Sequence, residues 1–369
     1  MERALELARK GFGFTSPNPC VGAVLVRSGK IIGEGWHRRA GKEHAEVEAL
    51  RDCRKRGSSP RGATLYVTLE PCSTHGRTPP CTDAILTAGI RRVVVGATDP
   101  NPRHAGAGLR LLRRHGVQVT TGVARAAATV LNEGFNHWIV HRTPFVTLKA
   151  AMTLDGKIAT AGGDSQWITG PNARRHAMRR LRRGADAILT GVNTILADDP
   201  SLTYRGPGAR NKSWRRIILD SHARTPTAAR VLTDANRAQT LLVVTSAAPA
   251  AAVAALRRQA TVVEAPADDG RVQLPWLLAQ LGGEGITHLL VEGGSEVNGA
   301  FLAAGLVQRI AFYFAPKVLG GRGSRTGVGG PDPATLASAW SVRSPEHVAL
   351  GDDWFITGLV QRPSDKFST

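Results

Sequence analysis

Two mixed α/β domains are predicted by three features of the sequence: its length, the alternation of short apolar runs with helical stretches, and a break in that pattern near residue 142. At 369 residues the chain can hold two domains that each bury a core. Apolar residues make up 42% and are spread over the whole length, so both halves are expected to fold.

In the first half, Val21 to Val26 and Ile31 to Trp36 read as a β-hairpin about Ser28-Gly29-Lys30, and His44 to Arg56 as a helix. Ala63 to Leu69 reads as a strand, Thr82 to Ala88 as a helix, Arg92 to Ala97 as a strand and Gly108 to His115 as a helix, with a further strand and helix behind it. The segment His141-Arg142-Thr143-Pro144 interrupts the alternation, and a new strand, Phe145 to Lys149, begins at once. The expected domains are therefore 1–143 and 144–369. In the second, apolar runs at Ala187 to Leu189, Arg216 to Leu219, Leu241 to Val244, His288 to Val291 and Ile310 to Phe314 alternate with helical stretches, which implies a largely parallel sheet. No internal repeat is visible, and Ala247 to Leu256 reads as a surface helix.

No run approaches the ~18 uncharged apolar residues that span a bilayer, and Met1-Glu2-Arg3 lacks a signal-peptide core, so the chain is expected to be cytoplasmic. The four cysteines are too few for a disulfide framework, and a metal site is the economical reading for two of them. The net charge of +19 invites a nucleic-acid reading, but it is divided between the halves, 22 basic against 11 acidic residues through Arg142 and 26 against 18 beyond. Its densest runs, Arg51 to Arg56 and Arg174 to Arg183, fall on predicted helices, where solvated faces explain them. With 5% aromatics there is little to stack bases on, so the field better suits anionic small molecules.

The chemistry is concentrated in His44-Ala45-Glu46, Pro71-Cys72 and Cys81. One imidazole and two thiolates fill three of the four tetrahedral corners of zinc and leave one for water, the arrangement of a catalytic site. Each ligand is expected where a strand or loop enters a helix, so that helix N-termini help keep the thiolates deprotonated. Glu46 lies two residues from the histidine, close enough to take a proton from the water and deliver it to a departing amine. This is the His-x-Glu and Pro-Cys signature of zinc deaminases, whose general description supplies the assignment. Cys20 and Cys53 lack such a context and read as buried or inert.

Eight residues, rather than two, separate Cys72 from Cys81. With Ser16-Pro17-Asn18-Pro19, Thr68-Leu69-Glu70-Pro71-Cys72, Gly76-Arg77-Thr78-Pro79-Pro80-Cys81 and Asp99-Pro100-Asn101-Pro102, the chain closely resembles the bifunctional RibD (RibG) family of riboflavin-biosynthesis proteins over about residues 3–362. The resemblance implies a cytidine-deaminase-like three-layer α/β/α domain followed by a dihydrofolate-reductase-like α/β domain. It puts zinc on His44, Cys72 and Cys81, the proton shuttle on Glu46, and substrate contacts on Asn18, Arg77, Asp99 and Asn101. Pro-flanked Asn and Asp also build turns, which leaves a structural alternative for Asn18, Asp99 and Asn101. Where relatives often have His two residues after the first cysteine, this chain has Thr74, with His75 next.

In the second half, Leu290-Val291-Glu292-Gly293-Gly294-Ser295 sets a glycine pair between a strand and a helix, where bare N–H groups can receive a phosphate, although such a pair also serves tight turns. It is not the Gly-x-Gly-x-x-Gly fingerprint, so a Rossmann domain is not indicated. Lys149 to Gly156, Asp164 to Thr169 and Leu196 to Pro200 resemble the family's reductase domain. NADPH contacts are thereby implied at Ala151, Trp167, Thr194, Asp198, Ser221, Gly294, Ser295, Glu296, Val297, Asn298, Gly299 and Ala300, and substrate contacts at Ser165, Arg182, Leu202, Arg205 and Glu292. The implied activity is deamination of a phosphoribosylated diaminopyrimidine and then NADPH-dependent reduction of its ribosyl group, in a protein whose relatives pair through the reductase domain. Two rivals stand beside this: a nucleic-acid or free-base zinc deaminase, and a second domain that is only a structural or oligomerising module.

Overall fold

The computed structural model describes residues 1–75, 79–102, 104–209, 212 and 214–363, and divides into two compact units, Met1–Arg142 and Thr143–Thr369. The first unit runs α1 (Glu2–Lys10), β1 (Gly22–Arg27), β2 (Lys30–Trp36), α2 (Ala45–Lys55), β3 (Thr64–Leu69), α3 (Cys81–Thr87), β4 (Arg92–Ala97), α4 (Ala107–Arg114), β5 (Gln118–Thr121), α5 (Arg125–Leu131) and α6 (Glu133–His141). Its sheet has the order β2-β1-β3-β4-β5, antiparallel in the first two pairings and parallel in the last two.

Side chains alternate across this sheet, as a strand period of two requires. Ala23, Leu25, Leu65, Val67, Val93 and Val95 join a core with Ala49 of α2, Ile85 of α3 and Leu112 of α4. On the other face, Val24 packs with Leu7 of α1, and a Cβ on Gly22 or Gly96 would meet Ala4 of α1 or Ala128 of α5, while at the strand ends Leu69 and Ala97 cluster with Leu5 of α1 and Ala128. The unit is therefore a three-layer α/β/α sandwich. Two glycines of β2 let α2 lie directly on the hairpin: a Cβ on Gly33 would stand 2.4 Å from the Ala49 carbonyl oxygen, and one on Gly35 2.4 Å from the Ala49 nitrogen. That close approach fixes where α2 begins, and hence where His44 and Glu46 sit.

The second unit holds a nine-stranded sheet in the spatial order Thr261–Glu264, Thr240–Val244, Arg215–Leu219, Ala187–Gly191, His288–Val291, Phe145–Thr153, Arg309–Ala315, Asp353–Gln361 and Ser341–Leu350. All pairings are parallel except the last two. Ile188, Ile218, Leu242 and Leu290 enter one core, while their neighbours Leu189, Ile217, Val243 and Leu289 enter the other. Both faces are covered, which is why these strands read as unbroken apolar runs.

In the run Arg174 to Arg183, Arg174, Arg175, Arg179 and Arg180 are exposed as expected of a solvated helix face, and Arg182 departs from it. The run spans an α-helical turn, Pro171–His176, and a π-helical stretch, Ala177–Arg182, and the stretch ends with Arg182 turned inward rather than toward solvent. The Ala-rich segment forms a helix from Ala250 to Arg257, with Leu256 buried beneath it. Replacing Gly35 by Ala is expected to destabilise the first unit by about 1–3 kcal/mol through overpacking against α2, measured as a lower urea midpoint with the m-value unchanged.

Candidate functional sites

The metal-ligand candidates converge. His44 caps the N-terminus of α2, Glu46 stands in its first turn, and Cys81 opens α3. Cys72 corrects the expectation that every ligand begins a helix: it lies in irregular chain beyond β3. The start of α3 still reaches it, because the Cys81 backbone N–H donates to Cys72 Sγ at 3.4 Å. His44 Nδ1 is 3.2 Å from Cys81 Sγ and 3.6 Å from Cys72 Sγ, and all the ligand atoms lie within 4.8 Å of one another.

Tetrahedral zinc with bonds of ~2.0–2.3 Å separates its ligand atoms by roughly 3.5–3.8 Å, so this donor set suits it in kind and in spacing. The hydrogen bond from the Cys81 thiol, aided by His44 and the Cys81 N–H, pulls the Cys72 thiol down to about 4 against the effect of burial. The same bond, with burial, pushes Cys81 up. A divalent cation held by both sulfurs would displace their protons. Glu46 is 3% exposed, and burial raises its carboxyl to about 7, the range in which a group both takes and gives a proton near neutrality.

Around this centre, Asn18 Nδ2 donates to His37 Nε2 at 3.1 Å, and His37 Nδ1 faces the Glu43 carbonyl at 3.0 Å. Burial lowers the pKa of His37 and keeps it neutral, so its Nδ1 carries the proton and its Nε2 accepts. Its ring meets that of His44 edge-on, with centroids 5.4 Å apart. His37 was not singled out in the sequence, since it belongs to no motif and its partners lie in other segments. Asp99 accepts from the Asn101 N–H at 2.9 Å, the turn role that Pro-flanked Asp can also play, and burial raises its carboxyl. Arg77 lies outside the described residues, while Thr74 and His75 are both exposed.

In the second unit, Arg182 and Glu292 form a two-pronged ion pair, Nε to Oε1 and Nη2 to Oε2, each 2.8 Å. Lys149 Nζ stands 4.0 Å from Glu292 Oε2. Burial alone would raise the Glu292 carboxyl, but Arg182 and Lys149 hold it at about 2. Arg182 Nη1 also donates to the Thr203 carbonyl at 2.9 Å, and so holds the segment of Leu202 and Arg205. Leu202 itself is buried in the core, with a left-handed backbone, and Arg205 is exposed.

The residues expected to contact cofactor gather at the carboxyl ends of adjacent parallel strands, where open α/β sheets receive ligands. Thr194 and Asp198 follow Ala187–Gly191, Ser221 follows Arg215–Leu219, Gly294 follows His288–Val291, and Ala151 lies late in Phe145–Thr153. Ser165 and Gln166 both donate to Asp198 Oδ1, at 3.4 and 3.3 Å. Trp167 is 65% exposed and stacks under the Arg174 guanidinium. At the glycine pair, a Cβ on Gly293 would stand 2.7 Å from Val297 Cβ, so that position tolerates no side chain, whereas one on Gly294, the N-cap of helix Ser295–Ala303, would meet nothing nearer than Thr194 Oγ1 at 4.0 Å. Asn298 Nδ2 donates to the Gly327 carbonyl, whereas its Oδ1 is buried without a partner. Gly299 backs onto Gly329, and Glu296 lies 3.6 Å from Arg271 at the surface, so these helix residues face the chain itself. Bare N–H groups at a helix start and an exposed indole fit a dinucleotide such as NADPH.

A His/Cys/Cys centre beside a buried glutamate on an α/β/α sandwich, followed by a parallel sheet with a ligand-binding edge, defines a zinc-binding deaminase joined to a reductase-type domain. The model of the cytidine and deoxycytidylate deaminase zinc-binding region matches residues 1–97, and that of the RibD C-terminal domain matches residues 144–356. The chain belongs to the RibD family. It is 40% identical to the riboflavin biosynthesis protein RibD of Actinobacillus pleuropneumoniae, over 98% of this chain and 95% of that one. Among solved structures it is similar to Acinetobacter baumannii RibD, with a TM-score of 0.85, 35% identity and 98% of both chains covered. It is also similar to a diaminohydroxyphosphoribosylaminopyrimidine deaminase/5-amino-6-(5-phosphoribosylamino)uracil reductase from Thermotoga maritima, with a TM-score of 0.82, 36% identity, and 98% and 97% covered.

Arg182→Met strands a buried carboxylate, with only Lys149 near it, and is expected to destabilise the second unit by about 3 kcal/mol. The pair stabilises fully above the unfolded carboxylate value of about 4.3 and loses its effect as pH falls through about 2. Urea titrations of both proteins at pH 7 and pH 3 check this, with a smaller difference at the lower pH.

Proposed function

We propose that residues 1–143 deaminate and residues 144–369 reduce, in two successive steps of riboflavin biosynthesis. The chain is a bifunctional enzyme: it replaces the C2 amino group of 2,5-diamino-6-(5-phosphoribosylamino)pyrimidin-4(3H)-one by oxygen, giving 5-amino-6-(5-phosphoribosylamino)uracil. It then reduces the ribosyl side chain to ribityl with NADPH. The observation that carries the first step is the convergence of His44, Cys72 and Cys81 beside a buried Glu46 whose pKa lies at about 7. The RibD C-terminal match and the charged cluster at the strand ends speak for a reductase over a purely structural second domain.

In this reading His44, Cys72 and Cys81 hold the metal, and the glycine-paired helix start, Trp167 and Thr194 hold NADPH. When bound, the metal lends Lewis acidity that makes water a nucleophile, and NADPH lends the reducing equivalents of the second step. Glu46 removes a proton from the attacking water and returns it to the departing amine, and ammonia leaves. Asn18, held in orientation by His37, and Asp99 and Asn101 supply donors and acceptors to the heterocycle, with Arg77 assigned to its phosphate. In the reductase site Glu292, kept ionised by Arg182 and Lys149, orients sugar hydroxyls, and Ser165, Leu202 and Arg205 complete the substrate contacts.

We assign subunit pairing to the reductase domain, because Ser341–Leu350 is an outermost strand with an open edge and exposed Val342 and Val348. A cytoplasmic location is in keeping with four free cysteines and with the absence, among the described residues, of a helix long and apolar enough to cross a membrane.

Glu46→Gln is expected to keep its zinc, to lose deamination by about 10²-fold or more, and to reduce the deaminated intermediate normally. Ammonia release and NADPH oxidation, followed separately, check this, and unchanged ammonia release contradicts the role of Glu46. Cys72→Ser and Cys81→Ser are each expected to lose the metal, measured as zinc per chain after dialysis.

A further inference from the structure

Glu70 lies just beyond β3, two residues before Cys72, and is 6% exposed. Among the described residues no Lys, Arg or His comes within 4.0 Å of this buried carboxylate. Such a group is costly unless hydrogen bonds replace its hydration. Here three backbone N–H groups do so: Oε2 accepts from Asp99 at 3.1 Å and from Gly106 at 3.0 Å, and Oε1 accepts from Gly108 at 3.0 Å.

The three donors belong to one stretch of chain. Gly106 is the N-cap of α4 and has no side chain with which to cap it, and Gly108 lies in the helix's first turn. Glu70 therefore caps α4 from another segment, where a negative charge is favoured. By the same carboxylate it grips Asp99. The turn from Asp99 to Asn101 is closed on itself through the Asp99 side chain, which fixes its shape but not its place. Its place relative to Cys72 is set by Glu70, reinforced by the tight seating of Gly108, where a Cβ would stand 2.2 Å from the Pro71 carbonyl oxygen.

We propose that Glu70 is a positioning residue for the deaminase substrate, setting the distance between the loop of Asp99 and Asn101 and the metal-bearing segment. This rests on the reading of Asp99 and Asn101 as substrate contacts. Glu70 touches no substrate itself. Its influence falls on binding, because α2 fixes His44 and Glu46, α3 fixes Cys81 and the Cys81 N–H holds Cys72, whereas the Asp99 end of the loop and the start of α4 are both gripped by this carboxylate.

The isosteric Glu70→Gln turns one acceptor into a donor and faces an N–H with an NH₂ group, so at least one of the three bonds is lost. Steady-state deaminase kinetics of the full chain with the diaminopyrimidine phosphate should show KM raised about tenfold or more, with kcat within about threefold. Zinc per chain should stay at the wild-type value, as should reduction of the deaminated pyrimidine. Glu70→Asp keeps the charge on a shorter arm, and its KM should fall between the other two. A wild-type KM in Glu70→Gln, with only a lower melting temperature, overturns the proposal. So does a loss of zinc together with kcat, which would make Glu70 a support of the metal segment. Asn101→Ala separates the underlying reading: an unchanged KM there removes Asn101 as a contact, whereas a raised KM there with an unaffected Glu70→Gln removes only the role given to Glu70.

Discussion

The first unit depends on one constraint: an imidazole and two thiols from separate stretches must meet at a point while a carboxyl is buried beside them. Each part of that requirement has a source in the fold. Gly33 and Gly35 let α2 close onto the hairpin, which delivers His44 and Glu46 together. The parallel pairing of β3 with β4 sets the chain so that Cys72 emerges next to the start of α3, where Cys81 waits. One imidazole nitrogen and two sulfurs within 4.8 Å of one another are a donor set suited to a cation such as zinc. Burial of Glu46 suits the role proposed for it, because a carboxyl near 7 is a useful proton carrier whereas one near its ordinary value is a poor acid at neutral pH.

The second unit solves a different electrostatic problem. Glu292 is buried yet stays ionised, since Arg182 grips both its oxygens and Lys149 stands behind. Glu46 and Glu292 therefore diverge, one neutral-leaning and one firmly charged, and the difference lies in the Arg182 and Lys149 cations beside Glu292. In the proposed mechanism, a carrier of protons and a fixed hydrogen-bond acceptor come from the same residue type by a change of neighbours.

Much of the architecture was legible in the sequence. Arg92–Ala97 and His288–Val291 have the bounds read from their apolar runs, and the first hairpin turns where Ser28-Gly29-Lys30 indicated. The terminal hairpin of Ser341–Leu350 and Asp353–Gln361 was not foreseen, because its outer strand is almost wholly exposed, carries Pro345 and has no apolar rhythm. The charge run grouped Arg182 with its solvated neighbours, and the family resemblance alone marked it out, because charge density carries no information about the π-helical phase that turns it inward. Of the candidate sites, the metal ligands were legible because a spaced His, Glu, Cys and Cys pattern encodes them. His37 and Glu70 were not, since they act through backbone or amide partners 6 to 38 residues away, and only folding reveals such partners.

The central claim is the shared coordination of one metal by His44, Cys72 and Cys81. X-ray absorption at the zinc edge of the purified, active protein tests it most directly. The account predicts two sulfur scatterers at about 2.3 Å and two light-atom scatterers at about 2.0–2.1 Å, one of them imidazole. A shell without sulfur, a shell of four sulfurs, or active protein lacking a divalent cation would contradict it.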